Sequence, residues 1–286
     1  MKTIVALSTL LMAGVVCEAG PFFSEGEDPR PEGKNWVRVE ALSDEFDGTE
    51  LDHSKWQDEP MENDWRWLGR PPAIFKAENV TVKDGAMRVT VGELDKPVTV
   101  NNDTFTHQGA IIRSLQPGNV GMYFECRMKA NKTEMSSTFW LMTKNQRTKE
   151  IEVDIQECVG RTSELTEKWG RNWNRIFHSN AINRVTEANP EKVQLQNMVV
   201  PETENWERYY VYGAWWKSPT EVRFYLDGKY QYSLNPEYKW DIPSYLHMAI
   251  EVYDWNPLPK DGGLVSSGTW EERTTKYDWV RTWKLD

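Results

Sequence analysis

Apolar and polar residues alternate in many short stretches of the chain, and this period of two is typical of β-strands with one buried face. The predicted strands lie within residues 85–91, 121–129, 222–226, 229–233, 245–253 and 276–284. Asp227-Gly228 separates two of them and favours a two-residue hairpin turn. Helical periodicity is absent, and residues 164–174 are the best candidate for a short helix or an ordered loop. The pattern predicts an all-β sandwich.

The start of the chain has a different pattern. Lys2 precedes an apolar run over residues 4–16 that is too short to span a bilayer, which is typical of a signal peptide. Ala19 fits the cleavage pattern, so residues 1–19 are predicted to be a signal peptide and the protein to be secreted, periplasmic or at the cell surface. A lipid anchor on Cys17 ranks second, because the residue before it is bulkier than such sites usually carry.

The rest of the chain is predicted to form one domain. Residues 20–36, rich in Pro, Gly and charge, are expected to be a flexible leader, and residues 37–286 a single domain without a membrane span. The formal charge of -10 argues against a nucleic-acid or anionic-membrane partner. Cys126 and Cys158 are expected to be buried apolar residues rather than a disulfide, because a chain of this length builds a core without one.

Aromatic residues are unusually frequent, with 15 Trp and 11 Tyr. A core needs few Trp side chains, because each indole N–H is awkward to bury. A surplus of flat rings favours a surface that stacks on the apolar faces of sugar rings over a Trp-rich core.

Residues 150–157 carry the strongest chemical feature, a row of acidic side chains that alternates with apolar ones. In a strand, Glu152 and Asp154 share one face, whereas strict alternation puts Glu157 on the other. A β-bulge near Ile155-Gln156 would return Glu157 to the acidic face, and bulges are frequent beside active sites.

The acidic row by itself is compatible with catalysis, with a solvated strand and with a cation site. A retaining glycosidase needs two carboxyls roughly 5–5.5 Å apart, one as nucleophile and one as acid/base. Glu152 and Glu157, on the same face of a bulged strand, can reach that spacing. Asp154 would hydrogen-bond the nucleophile between them, and its charge is expected to keep Glu157 protonated until the proton is needed.

Glu152-x-Asp154-x-x-Glu157 resembles the signature of glycoside hydrolase family 16 in its bulged form. The resemblance extends along almost the whole mature chain, through residues 43–48 (SDEFDG), 136–142 (SSTFWLM), 212–216 (YGAWW), 222–228 (VRFYLDG) and 278–283 (DWVRTW). It implies that residues 37–286 are a catalytic β-jelly roll with a concave groove for a polysaccharide.

The same resemblance implies roles for individual residues. Glu152 would be the nucleophile, Glu157 the acid/base and Asp154 the assisting residue, while Trp140 would stack on the sugar next to the scissile bond. No cofactor is expected. Some relatives carry a structural calcium on the convex face, and the residues that could contribute to one are Asp47 and Asp278.

Residues 65–73 and 128–140 resemble the branch of the family that acts on red-algal galactans, which includes β-agarases and β-porphyranases. Porphyran is sulfated, and a sulfate pocket needs a cation, preferably a guanidinium. Arg70, beside Trp67, and Arg147, before the acidic strand, favour porphyran over neutral agarose. The alternatives are a loop salt bridge for Arg70 and neutralisation of the acidic row for Arg147.

Other groove candidates are His178, Asn180, Glu251 and Trp255, for which a half-buried histidine and a solvated glutamate are the simpler interpretations. The protein is expected to be a monomer. A non-catalytic, lectin-like jelly roll is the alternative from another class, but it would not need closely spaced acids that repel one another. A transglycosylase would use the same residues as a hydrolase, and the sequence does not separate the two.

Overall fold

The computed structural model describes residues 20–144 and 148–286, so the predicted signal peptide and Arg147 lie outside the described residues. The strands in chain order are β1 (Trp36–Arg38), β2 (Trp56–Gln57), β3 (Gly69–Arg70), β4 (Ala73–Phe75), β5 (Val80–Val82), β6 (Met87–Thr90), β7 (Gly92–Val100), β8 (Asp103–Gly118), β9 (Tyr123–Lys129), β10 (Ser136–Met142), β11 (Ile151–Val159), β12 (Phe177–Asn183), β13 (Val193–Val199), β14 (Tyr210–Ser218), β15 (Glu221–Leu226), β16 (Lys229–Leu234), β17 (Ser244–Ile250) and β18 (Thr274–Leu285).

Helical structure in the described residues is limited to one short α-helix and three single turns of 3-10 helix. These are α1 (Gly263–Ser267) and the 3-10 turns Glu40–Leu42, Ala77–Asn79 and Lys168–Gly170. The segment predicted as a short helix or ordered loop, residues 164–174, therefore contains one 3-10 turn within a loop. No helix of the described part of the chain is long and apolar enough to cross a membrane.

The strands form two sheets, which confirms the predicted β-sandwich jelly roll. The back sheet has eight strands in the order β16-β15-β14-β9-β18-β6-β5, with β1 also paired to β18. The groove sheet has ten, in the order β13-β12-β11-β10-β17-β8-β4-β3, with β2 and β7 paired to β8. Neighbouring strands are antiparallel except for the pair β4 and β8.

The core lies between the two sheets and follows from the alternation along each strand. On β11, Ile151, Val153 and Ile155 are at most 1% exposed and belong to the main apolar cluster, together with Phe139 of β10 and Tyr212 of β14. Since these side chains occupy the inner face, the intervening carboxyls point out of the sandwich.

Turn residues at two hairpins adopt the left-handed conformation that a tight turn requires. Asp227 and Gly228, with φ of 49° and 73°, form the predicted turn between β15 and β16. Asn101 and Asn102, with φ of 51° and 73°, connect β7 to β8 in the same way. Asn and Asp tolerate this region better than other side chains.

The segment of residues 20–36, predicted as a flexible leader, packs on the outer face of the back sheet. Phe23 lies 4.9 Å from Tyr123 and 5.3 Å from Tyr225 between ring centroids. The Phe22 amide donates to the Glu125 carboxylate at 3.0 Å. The prediction was wrong because it rested on the Pro, Gly and charge content of the segment. It did not consider the aromatic rings, whose burial favours an ordered segment.

Cys126 and Cys158 are both buried and unbonded, as predicted. Burial raises the pKa of the Cys158 thiol to about 12, so the group stays protonated and behaves as a small apolar side chain.

Candidate active site

Glu152, Asp154 and Glu157 lie on β11, and the predicted bulge is present. Their Cα partners on β10 are three alternate residues, in order Met142, Trp140 and Thr138. The register shifts between Phe139 and Trp140, where β11 contains one extra residue, Ile155. Because alternate residues of β10 share a face, the bulge brings all three carboxyls to one side of the sheet.

The three carboxyls line a single cleft of about 490 Å³ on the outer face of the groove sheet. Its other walls come from β8, β10, β17 and the loops around β3. They comprise Trp65, Arg66, Trp67, Arg70, Arg113, Thr138, Trp140, Met142, Arg184, His247, Glu251 and Tyr253. The cleft therefore combines acids, aromatic rings and guanidinium groups, the set that a polar polysaccharide needs.

An arginine holds the proposed nucleophile. Arg184 follows the end of β12, and its Nε donates to Glu152 Oε2 at 2.6 Å, with a second contact from Nη2. Glu152 is 6% exposed, whereas the Arg184 side chain is 42% exposed, so the carboxylate is buried and its partner reaches it from the solvent side. An ion pair of this kind favours the charged carboxylate that a nucleophile needs.

Glu157 is surrounded by hydrogen-bond donors from two directions. Asn180 of β12 donates to Oε2 at 2.6 Å, and the Tyr253 hydroxyl donates to Oε1 at 2.9 Å. His178 Nδ1 lies 3.4 Å from Oε2, near enough for electrostatic attraction but without the alignment of a hydrogen bond. The carboxyl is thus fixed in orientation at the side of the cleft that faces β12.

Burial and these partners shift the pKa values of the three carboxyls in different directions. Burial raises the pKa of Asp154 well above its usual range, and the charges of Glu157 and Glu152 raise it further. Burial also raises the pKa of Glu152, against the opposing charge of Arg184. Burial acts upward on Glu157 as well, but His178, Tyr253 and Asn180 outweigh it and leave its pKa below the ordinary value. Of the three carboxyls, Asp154 thus has the strongest upward shift of its pKa, whereas the sequence argument expected the raised pKa at Glu157.

Where the bulge interrupts the pairing of β11 with β12, side-chain hydrogen bonds take the place of backbone ones. Pairing between β11 and β12 ends at Asp154 and Asn180. Beyond that point the Gln156 amide donates to the carbonyl of Ile176 at 2.9 Å, and the Ser179 hydroxyl donates to the carbonyl of Ile155 at 2.9 Å. These bonds satisfy backbone groups that the bulge leaves without strand partners and so fix the position of Glu157.

Aromatic rings form the wall next to the acidic row. Trp140 lies beside Asp154 and stacks on His247, with ring centroids 4.2 Å apart and planes at 24°. Trp67 meets Trp140 edge-on at 6.3 Å. Burial, with the charge of Arg113 adding to it, holds the pKa of His247 well below its usual range, so this ring is neutral.

Arg70 stands at the same end of the cleft. Its Nε lies 3.3 Å from Glu251 Oε2, and its guanidinium lies over the Tyr253 ring at 5.5 Å. Burial raises the pKa of Glu251 to about 8, against the charge of Arg70. At neutral pH Glu251 is thus mostly protonated, and the positive charge of Arg70 is left available to the cleft. This agrees with the absence of a well-formed hydrogen bond to Glu251 Oε2 in the described residues.

Sequence reasoning placed most but not all of its candidates here. Trp67, Arg70, Trp140 and Glu251 line the cleft, and His178 and Asn180 contact Glu157 from β12. Trp255 does not line it but stacks on Tyr253, at 5.1 Å and 22°.

Several residues that line the cleft were missed. Thr138 and Met142 lie two positions before and after Trp140 on the same strand, and Tyr253 lies two positions after Glu251. The period of two in a strand therefore predicts that all three share a face with a candidate already named. Arg184 and Arg113 have no such signal, because they reach the cleft from strands distant in sequence.

The structural calcium that the resemblance suggested stays a prediction. Asp278 is ion-paired with Arg127, and no group of three or more His, Cys, Asp and Glu side chains in the described residues could hold a metal ion.

A jelly-roll sandwich with a buried carboxylate row at the floor of an open cleft defines an O-glycosyl hydrolase. The family model described as "Beta-porphyranase A-D, GH16 domain" matches residues 36–285, and the chain belongs to this family. The resemblance to glycoside hydrolase family 16 is thereby confirmed.

Individual relatives agree with the family match. A beta-porphyranase B of Zobellia galactanivorans is 39% identical over 291 residues, which cover 99% of this chain and 96% of that protein. A beta-porphyranase B of Phocaeicola plebeius is 34% identical, covering 89% of this chain and 86% of the relative. The crystal structure of porphyranase B from Zobellia galactanivorans superposes with a TM-score of 0.86 and 41% identity, covering 93% of this chain and 99% of that one.

Proposed function

We propose that the protein is an endo-acting, retaining β-galactanase that cleaves sulfated porphyran in preference to neutral agarose. The bulged acidic strand is the observation that carries the proposal, because it brings Glu152 and Glu157 to one face of the groove sheet. Residues on both sides of this strand line the site, which suits a polysaccharide chain that crosses it and is cut internally. A non-catalytic binding module would gain nothing from buried acids that repel one another.

Glu152 attacks the anomeric carbon in the first step and forms a covalent glycosyl-enzyme. Arg184 supports this role because its charge opposes the upward effect of burial on the pKa of Glu152 and its hydrogen bond orients the carboxyl. Trp140 holds the attacked sugar beside Asp154. Water, activated by Glu157, then releases the sugar with its original configuration.

Glu157 needs a proton in the first step and accepts one in the second. Burial raises the pKa of Asp154 well above its usual range, while Asn180 and Tyr253 donate to Glu157, so we assign the proton of the substrate-free row to Asp154. A bound sugar displaces water and places the glycosidic oxygen against Glu157. Both changes raise the affinity of this carboxyl for the proton. Asp154 thus acts as the proton reserve next to the acid/base.

The preference for porphyran rests on Arg70 and on the relatives. Arg70 presents a guanidinium to the cleft, and its partner Glu251, with a pKa of about 8, cancels little of that charge at neutral pH. Two relatives above 30% identity are beta-porphyranases. A sulfate ester is an anion that a guanidinium binds with paired hydrogen bonds. Arg147, outside the described residues, is proposed as a second cation.

The test is product analysis after parallel incubation with porphyran, agarose, carrageenan and laminarin. Porphyran is expected to yield internal-cleavage oligosaccharides fastest, and Glu157→Gln to yield none. Arg70→Gln is expected to lower kcat/KM on porphyran about 10- to 100-fold, the value of one charge-assisted hydrogen bond, with a smaller loss on agarose. Arg88→Gln on the back sheet is the control. Equal losses of Arg70→Gln on both galactans, or faster cleavage of laminarin, would contradict the assignment.

We also propose that residues 1–19 direct export, on the strength of the apolar run after Lys2. N-terminal sequencing of the exported protein checks this, with Gly20 as the expected first residue.

A further inference from the structure

A second hollow of about 540 Å³ lies on the groove sheet beyond Glu157. It is lined by residues of β12, of β13 and of the loop before β12, namely Trp169, Trp173, His178, Gln196, Asn197 and Met198. His178 also stands 3.4 Å from Glu157. The hollow and the catalytic cleft are therefore neighbours that share the surroundings of the acid/base.

Trp169 is an exposed ring on a rigid support. Its side chain is 61% exposed, yet its ring lies 4.8 Å from Trp255 and 5.8 Å from Trp173 between centroids. Trp255 in turn stacks on Tyr253, whose hydroxyl donates to Glu157. A continuous row of rings thus connects the exposed indole to the acid/base.

The hollow and Trp140 lie on opposite sides of the acidic row. Strand β11 stands between β10, which carries Trp140, and β12, which carries His178. Trp140 is assigned to the sugar that Glu152 attacks. The sugar on the other side of the scissile bond must therefore extend over β12 and β13, toward Trp169. Glu157, which protonates the oxygen of that departing sugar, faces the same way through Asn180.

The lining of the hollow also limits what it can bind. None of its six residues carries a permanent charge, whereas the cleft on the Trp140 side contains Arg66, Arg70 and Arg113. The amide of Gln196, which pairs with Asn180 and so shares its face of the sheet, offers a donor and an acceptor suited to hydroxyls, and Trp169 offers an apolar face. This is the chemistry of an uncharged hexose and not of a sulfate ester.

We propose that the Trp169 hollow binds an uncharged hexose unit of the leaving-group part of the galactan chain, stacked on Trp169 and hydrogen-bonded by Gln196. The proposal rests on the proposed galactanase function and adds a second binding region to it. Occupancy of this region holds the departing chain in place while Glu157 protonates it, and later holds an acceptor if a sugar replaces water in the second step.

The test compares two substrates of Trp169→Ala. One is the galactan polysaccharide, and the other is a galactan oligosaccharide with fluoride at its reducing-end anomeric carbon, which leaves the hollow empty during the first step. Trp169→Ala is expected to lower kcat/KM on the polysaccharide about tenfold, equivalent to 1.4 kcal/mol, and to leave the fluoride unchanged. Trp169→Phe, which keeps a ring, is expected to recover most of the loss.

Trp270→Ala is the matched control, because Trp270 is also exposed, at 46%, but lies on the back sheet beneath Arg88 and Lys276. It should change neither rate. If Trp169→Ala lowered kcat/KM equally on both substrates, the hollow would not lie on the leaving-group side. If it lowered kcat/KM on neither, the hollow would not bind the substrate. If the wild type cleaved neither substrate, the galactanase proposal would fail. Calorimetric titration with galactan oligosaccharides would then decide whether Trp169→Ala still weakens binding.

Discussion

Burial affects the acids of the cleft differently because each has different neighbours. At Glu157, His178, Tyr253 and Asn180 outweigh burial, and its pKa falls. At Glu251, burial and the charges of nearby acids outweigh Arg70 and raise its pKa to about 8. A carboxyl whose pKa is raised by folding stabilises the fold while protonated. Its contribution is fully present below about pH 4.5 and is lost as the pH rises through about 8.

Glu251→Gln should therefore become more stable relative to the wild type as the pH rises from 5 to 9, because glutamine mimics the protonated acid and cannot ionise. The difference in the free energy of unfolding should grow by a few kcal/mol, on the order of the shift multiplied by 1.36 kcal/mol per unit. Thermal melts at the two pH values measure it. Glu221→Gln is the control, since Lys217 and Arg223 lower the pKa of that exposed carboxyl and it stays ionised over the same range. A Glu251→Gln difference that does not change with pH would refute the assignment.

Sequence reasoning predicted single residues well where strand parity applied. Glu152, Asp154 and Glu157 were found because acidic and apolar residues alternate over residues 150–155. Arg184 was not found, because its contact with Glu152 spans 32 positions and arises from the pairing of β11 with β12. No local pattern encodes such a partner.

At the scale of the element, strand β11 shows how a bulge is stabilised. The extra residue Ile155 shifts Glu157 onto the acidic face, and Ser179 and Gln156 bond the backbone groups around it. The bulge was predictable from parity, since Glu157 could not otherwise join Glu152. The hydrogen bond from Ser179 that supports the bulge was not predictable, because Ser179 lies 24 residues further along the chain than Ile155.

Ser179→Ala tests the support of the bulge. It leaves the Ile155 carbonyl without the donated hydroxyl, so the free energy of unfolding should fall by about 1–3 kcal/mol. The kcat should also fall, because Glu157 is held less firmly. Urea unfolding and initial rates on porphyran measure both effects. Ser233→Ala on β16, where the hydroxyl meets only the exposed Tyr230, is the control and should leave both unchanged. A variant Ser179→Ala with wild-type stability and rate would show that the bulge needs no such support.

At the scale of the whole molecule, the sandwich presents one long surface across the groove sheet, divided by the acidic row. Arg66, Arg70, Arg113 and Trp67 lie on one side, and the uncharged Trp169 hollow lies on the other. The surplus of aromatic residues was expected to line a sugar-binding surface, but most Trp side chains are buried, and those at the cleft are Trp65, Trp67 and Trp140. Composition does not place rings, and it did not reveal those that bind residues 20–36 to the back sheet. Long-range packing decides both placements.

The central claim is that Glu152 and Glu157 act as the nucleophile and acid/base of a retaining enzyme. Proton NMR of the first product released from porphyran oligosaccharides tests this most directly, because it records the anomeric configuration before mutarotation. The account predicts that the β-anomer appears first and the α-anomer grows in later. Initial release of the α-anomer would show inversion and contradict the assigned roles.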